Sequence, residues 1–135
     1  IIIKIAFEEK QYLEVFGNDW PTSDGTCIRD YIHITDLAQG HIQALKFLDN
    51  NESIELSINL GTGKGTSVLE LIKIFEETNK VKLRYIFADR REGDLPSVVA
   101  DNSFAKKILN WIPTKSISEM CKDGWNWKLK NPNGY

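Results

Sequence analysis

The chain has 135 residues, 41% hydrophobic and 27% charged, a globular composition sufficient for one core and unlike that of a disordered tail. Its formal net charge of −2 excludes a general electrostatic footprint for nucleic acid, so any anion binding must be local. The longest apolar run is short and interrupted by Lys4, and no segment is suited to span a bilayer.

In chain order, residues 1–10 are helix-compatible text without a capping residue before them, which reads like the interior of a helix cut from a longer polypeptide. "YLEVF" (12–16) reads as a short strand. Pro21 and Asp24-Gly25 make 17–26 a loop. Thr35 or Asp36 is expected to cap a helix over about 36–49, with Leu37, Ala38, Ile42, Leu45 and Leu48 recurring at helical spacing. "SIELSIN" (53–59) alternates apolar and polar residues as a half-buried strand does. Ser67-x-x-Glu70 is a capping box, followed by a stripe of Val68, Leu71, Ile72 and Phe75. Residues 81–88 alternate as a strand, and 89–97 form a loop stiffened by Gly93 and Pro96. A short helix around 103–109 is expected to bury Phe104, Ile108 and Leu109. Ser116-x-x-Glu119, a second capping box, opens a last helix with Ile117, Met120, Cys121 and Trp125 on one face. "NPNGY" ends it. Strands alternate with helices, so the class is α/β or α+β.

Several motifs fail the chemistry they suggest. "GTGKGTS" (61–67) follows an expected strand and opens a helix, as a phosphate cradle would. Thr66 stands where the dinucleotide pattern needs glycine, Lys64 is followed by Gly65 where a P-loop needs Ser or Thr, and no ribose-binding acid follows in "NKVKLRY". A plain strand-to-helix turn is the better reading. His33, Asp30, Asp36 and Ser23 have spacings that arise by chance, so no hydrolytic triad is read. His33 is expected to hold a strand-to-helix junction. His33 and His41 have no nearby cysteine, and no zinc site is expected. Asn51-Glu52-Ser53 fits a glycosylation acceptor by letter only. Cys27 and Cys121 stand far apart, as free thiols do in a reducing compartment.

The arginines are more informative. Arg29 in "CIRDYIHITD" and Arg90-Arg91 in "FADRREGDLP" each have carboxylates beside them. A guanidinium fork matches phosphate oxygens two at a time, and two forks from separate segments would clamp a diphosphate and fix its register. Asp30, Glu92 and Asp94 could hold the guanidinium groups or accept from sugar hydroxyls. A surface ion-pair network around a loop, which would stabilise little, weighs equally on physics alone.

The ordered series "VFGNDWPTSDGTCIRDYIHITDLAQGHIQAL", "NLGTGKGTSV" and "RREGDLPSVVAD" resembles the UDP-glucose (UDP-galactose) 4-epimerases, which are extended short-chain dehydrogenase/reductases. The likeness runs over essentially the whole chain and includes the Trp-x-Trp helix and the closing "NPNGY". It implies an α/β chain made of a substrate-binding lobe plus the last helix and strand of an NAD-binding Rossmann-type sheet, residues 1–135 being the C-terminal, mainly substrate-binding region of a longer epimerase. It further implies that Glu14, Val15 and Phe16 lie beside the uracil, that Arg29 and Arg91 reach the diphosphate, that Val68 contacts the nucleotide and that Asp94 holds the ribose. Arg90 takes a supporting or surface role. The implied partners are UDP-glucose and UDP-galactose, with no nucleic acid or membrane, in a cytoplasmic, homodimeric parent. Relatives include nucleotide-sugar dehydratases and decarboxylases, and a non-catalytic nucleotide- or protein-binding module is the reading from a different class.

Trp20 replaces a tyrosine usual in such proteins, with little effect expected, and Val98 stands where some carry an aromatic residue near the nucleotide. The resemblance also implies bound NAD as hydride carrier and a Tyr-x-x-x-Lys pair as its chemistry. Four residues after Tyr12, Tyr31 and Tyr85 come Phe16, Thr35 and Asp89. No catalytic residue is therefore assigned in this chain, which is expected to be inactive alone. If the missing sheet covers Ile54, Leu56, Ile58 and the Leu37/Leu45 stripe, the chain by itself is expected to be marginal or to self-associate through that face.

Overall fold

The computed structural model describes residues 2–7, 9–51 and 55–134. Among the described residues, five helices and five short strands follow in the order α1 (Ile2–Ala6), β1 (Leu13–Phe16), β2 (Ile28–Asp30), α2 (Ile34–Asp49), β3 (Gly65–Ser67), α3 (Val68–Asn79), β4 (Tyr85–Ala88), β5 (Ser97–Val98), α4 (Ser103–Leu109) and α5 (Ile117–Lys130). β1 pairs parallel with β4, Leu13 opposite Tyr85 and Phe16 opposite Ala88. β2 is the centre of a second sheet, antiparallel to β3 and parallel to β5. The expected α/β class is the one observed.

The larger core lies between α3, α5, α1 and β1. Leu71, Ile72 and Phe75 of α3 pack with Leu13, Val15 and Cys121. Trp125 of α5 meets Phe75 edge-on at 5.9 Å and Phe7 at 4.5 Å, a geometry that suits the ring quadrupoles. Both capping boxes form. Ser67 and Ser116 accept from the backbone N–H of Glu70 and Glu119, and those glutamates accept in return from the cap N–H groups. α1 is shorter than the expected 1–10, ending at Ala6. Its isoleucines are poor helix formers, and it persists by packing Ile5 into this core.

The second core is small. Ala105, Leu109 and Trp111 are buried against Ala44, Phe47 and Leu60. Here the expected faces need correction. α2 begins at Ile34, two residues early, and its cap is His33, whose Nδ1 accepts from the Thr35 N–H at 3.1 Å. His33 thus holds the strand-to-helix junction as expected. Asp36 is no cap but a buried carboxylate that accepts from Thr114 and Lys115. The α2 stripe includes the exposed residues Ile42, Leu45 and Leu48, with Leu45 63% exposed, in line with the uncovered Leu37/Leu45 face expected of this chain by itself. The buried side of the helix is instead Asp36 and Gly40. A Cβ on Gly40 would meet Leu60 Cδ1 at 2.7 Å, so α2 packs closely on Leu60 at this position. Phe104 is likewise exposed, and Ala105 takes the interior position.

Part of the strand expected over 53–59, at 53–54, lies outside the described residues. Residues 55–59 form no ladder, and no described strand lies alongside them. Alternation provides two faces, but a strand also needs a neighbour for its backbone groups. The strand expected over 81–88 is confined to Tyr85–Ala88, the part that meets β1. No helix among the described residues is long and apolar enough to cross a membrane.

Candidate functional site

A cavity of about 1190 Å³ opens where the C-terminal end of β1, β2, the start of α3, the loop after β4 and the N-terminal half of α5 converge. It contains all seven residues named from the sequence. Glu14, Val15 and Phe16 come from β1, Arg29 from β2 and Val68 from the first turn of α3, while Arg91 and Asp94 come from the loop. Residues 65 apart in sequence are thereby joined: Arg29 Nη2 donates to Asp94 Oδ1 at 3.2 Å. Nη1 of Arg29 donates to the Ile28 carbonyl at 2.8 Å and the Leu95 carbonyl at 2.9 Å. The guanidinium is therefore oriented from three sides before any ligand arrives.

The loop between β4 and β5 is tight. Asp94 N–H donates to the Arg91 carbonyl at 3.2 Å, and Gly93 takes φ +82°, the conformation that a type II turn demands at its third residue. This turn places Arg91 over Phe16, with its guanidinium carbon 3.7 Å from the ring centroid. Among the described residues Arg91 has no carboxylate partner. Its donors remain available to an anion in the cavity. Arg90 points to a different ring, Trp20, at 4.0 Å, and pairs with Asp19. The two adjacent guanidinium groups thus avoid each other by stacking on separate aromatics.

Several expectations about individual residues are corrected. Asp30 does not hold an arginine. Its carboxylate accepts from the backbone N–H groups of Thr62 and Gly63, both at 2.9 Å, and from the Thr62 hydroxyl. Burial alone would raise its pKa; these donors outweigh that and lower it. Glu92 is exposed and holds no guanidinium among the described residues. Trp20 is 9% exposed and donates from Nε1 to the Phe16 carbonyl at 3.2 Å, which does not bear on the small effect expected of its replacing tyrosine. Val98 borders a separate, smaller cleft rather than the large cavity.

The glycine turn does not fit a dinucleotide. Its amides are already committed to Asp30, and a Cβ on Gly61 would lie 2.7 Å from Asp30 Oδ2. Gly61 makes room for a carboxylate that the chain itself supplies. Tyr31 borders the cavity, but burial raises its phenol pKa, the opposite of what a proton-accepting tyrosine requires. No group of three or more His, Cys, Asp or Glu residues among those described could hold a metal ion. Lys10, His33, Asp123 and Trp127 also border the cavity and were not singled out for it. Sequence spacing carries no signal for them, because each arrives from an element brought in by packing.

The sequence pattern of the GDP-mannose 4,6 dehydratase family matches residues 1–124. The UDP-glucose 4-epimerase of Bacillus subtilis (strain 168) is 46% identical over 134 residues, which is 99% of this chain and 39% of that protein. A UDP-glucose 4-epimerase of Cyamopsis tetragonoloba is 51% identical over 133 residues, 98% of this chain and 38% of that protein. The crystal structure of UDP-glucose 4-epimerase from Bifidobacterium longum, in complex with NAD+ and UDP, superposes with a TM-score of 0.92 at 40% identity, over 99% of this chain and 39% of that one. The chain thus spans about 39% of the length of these relatives and corresponds to their C-terminal part. The chain belongs to the GDP-mannose 4,6 dehydratase family of extended short-chain dehydrogenase/reductases.

Proposed function

We infer that this chain is the nucleotide-sugar-binding part of an NAD-dependent UDP-glucose/UDP-galactose 4-epimerase, an isomerase of galactose metabolism acting in the cytoplasm. The observation that carries this reading is the state of Arg91. It is stacked on Phe16, it borders a cavity that Arg29 also borders, and it has no carboxylate partner among the described residues. A fixed fork without an internal acceptor is suited to a diphosphate. In this reading Glu14, Val15 and Phe16 flank the uracil, Val68 contacts the nucleotide and Asp94 meets the ribose while steadying Arg29. The relatives' names and the UDP in the Bifidobacterium longum complex support the choice of uridine carrier.

NAD would be held mainly by residues outside this chain, because the glycine turn at 61–65 is occupied by Asp30. The proton-transfer pair would also lie outside it. The chain's own contribution is to bind, orient and shield the nucleotide end of the substrate.

The test is product identification. The full-length protein, given UDP-glucose, UDP-galactose, UDP-glucuronate and GDP-mannose in turn, should interconvert the two UDP-hexoses, as read by NMR of the sugar ring. A 4-keto-6-deoxy product would make it a dehydratase, and loss of carbon dioxide from UDP-glucuronate a decarboxylase. Epimerisation by the purified 135-residue chain would overturn the division of labour.

A further inference from the structure

Arg90 and Arg91 are neighbours in sequence with opposite surroundings. Arg91 has a ring beneath it and open donors. Arg90 is fastened: its Nε donates to Asp19 Oδ1 at 2.8 Å and its Nη2 to the Asp19 carbonyl at 2.7 Å. Its guanidinium carbon sits 4.0 Å from the Trp20 ring centroid. Trp20 in turn donates to the carbonyl of Phe16, the residue whose ring supports Arg91. The four residues form a circuit from Arg90 through Trp20 to the Phe16 carbonyl, and from the Phe16 ring to Arg91, closed by the chain between the two arginines. Gly17 lies inside it with φ +80°. A Cβ there would come within 2.3 Å of Trp20 Nε1 and 2.9 Å of Arg90 Cγ, so the circuit closes only around glycine.

We propose that Arg90 is a positioning residue for anion recognition: locked between Asp19 and Trp20, it fixes the loop so that Arg91 lies over Phe16 with its donors open to the cavity. The proposal rests on reading the cavity as a nucleoside diphosphate site. The Arg90 and Asp19 side chains are 41% and 68% exposed, and an ion pair that exposed contributes little to stability. Its geometry is nonetheless specific, with two donors to one residue and a ring face behind. Arg90 also carries its own counter-charge, so it does not compete with Arg91 for an anion. The pair acts as one recognition group and one anchor.

The experiment titrates UDP and uridine into the full-length protein by calorimetry. Arg90→Ala is expected to weaken UDP about tenfold, the equivalent of one charged hydrogen bond, while leaving uridine affinity and the melting temperature unchanged. Asp19→Asn, which keeps both arginines, is expected to show the same pattern more weakly and serves if Arg90→Ala does not fold. Arg91→Ala should weaken UDP at least as much. The Arg90→Ala/Arg91→Ala double variant should be no weaker than Arg91→Ala alone, because Arg90 acts through Arg91. Unchanged UDP affinity in the Arg90→Ala and Asp19→Asn variants, an equal loss for uridine, or additive losses would overturn the positioning role and leave the nucleotide reading intact. A wild-type protein that binds neither UDP nor uridine overturns the nucleotide reading and the positioning role with it.

Discussion

The carboxylate of Asp36 is bound by Thr114 from the far side of the second core: the Thr114 N–H donates to Oδ2 at 3.1 Å and its hydroxyl to Oδ1 at 3.0 Å. Lys115 N–H adds a third bond at 2.9 Å, and Trp111 Nε1 donates to the Asp36 carbonyl at 3.0 Å. One buried acid at the start of α2 thus fastens the whole segment that leads from α4 to α5. Asp36→Ala would leave the part-buried backbone donors of Thr114 and Lys115, residues that are otherwise exposed, without their acceptor. The expected loss is about 1–3 kcal/mol of unfolding free energy, read from urea melts. Asp36→Asn should also destabilise, because its amide group would face donors.

The two capping boxes are matched in sequence and differ in surroundings. Ser67 is buried, and besides capping α3 it donates to Asp24, which also accepts from the Thr26 N–H at 2.9 Å and the Thr26 hydroxyl at 2.7 Å. Ser116 is exposed and bonds only within its own box. Ser67→Ala should therefore cost more than the roughly 1 kcal/mol typical of a lost cap, and Ser116→Ala should cost less than Ser67→Ala. Parallel thermal melts of the two variants check the order.

Those boxes also show which parts of the molecule the sequence reveals. A capping box is complete within four residues, so Ser67-x-x-Glu70 and Ser116-x-x-Glu119 could be read directly. The α3 stripe was legible for a related reason: Leu71, Ile72 and Phe75 all enter one core. On α2 the same periodicity picked out Leu45 and Leu48, which are exposed. Periodicity identifies a face, and only packing says what covers it. Asp36 was read as a cap because acids favour that position, whereas its partners lie 78 and 79 residues away. Adjacency offers Asp30 to an arginine or to a sugar hydroxyl, yet its donors come from a turn 32 residues on. The seven site residues were gathered by resemblance. Physical reading of the sequence alone left the arginines evenly divided between a ligand clamp and a surface network.

Acid should unfold this protein through Asp30 and Asp36. For both, burial opposes ionisation, but hydrogen-bond donors outweigh it and hold the folded pKa below the ordinary value. A depressed carboxylate contributes stability that is fully present above the unfolded pKa of about 3.9 and is lost as pH falls through the folded value. Unfolding free energy should thus be level with respect to these groups near neutrality and decline below about pH 4. In Asp30→Asn the decline should be shallower, because the variant has lost one group that must take up a proton. A steeper decline in Asp30→Asn than in wild type would contradict the assignment.

Thiol chemistry gives a direct probe of the larger core. Cys27 and Cys121 are free and each 5% exposed. Burial pushes the Cys121 thiol up to about 11, so at pH 8 roughly one molecule in a thousand carries the reactive thiolate there even before access is considered. A disulfide reagent at pH 8 should therefore label Cys121 only as fast as the structure opens, with the rate rising in urea in step with unfolding. Cys121 packs with Leu71, Ile72 and Phe75, so Phe75→Ala, which removes a ring from that core, should accelerate the labelling in native buffer. Cys27, just before β2, and Cys121 both border the cavity, and a Cys121→Ser background lets the labelling of Cys27 be followed alone. Saturating UDP should slow Cys27 labelling in the full-length protein if the nucleotide occupies the cavity, and a rate indifferent to UDP would place the ligand elsewhere.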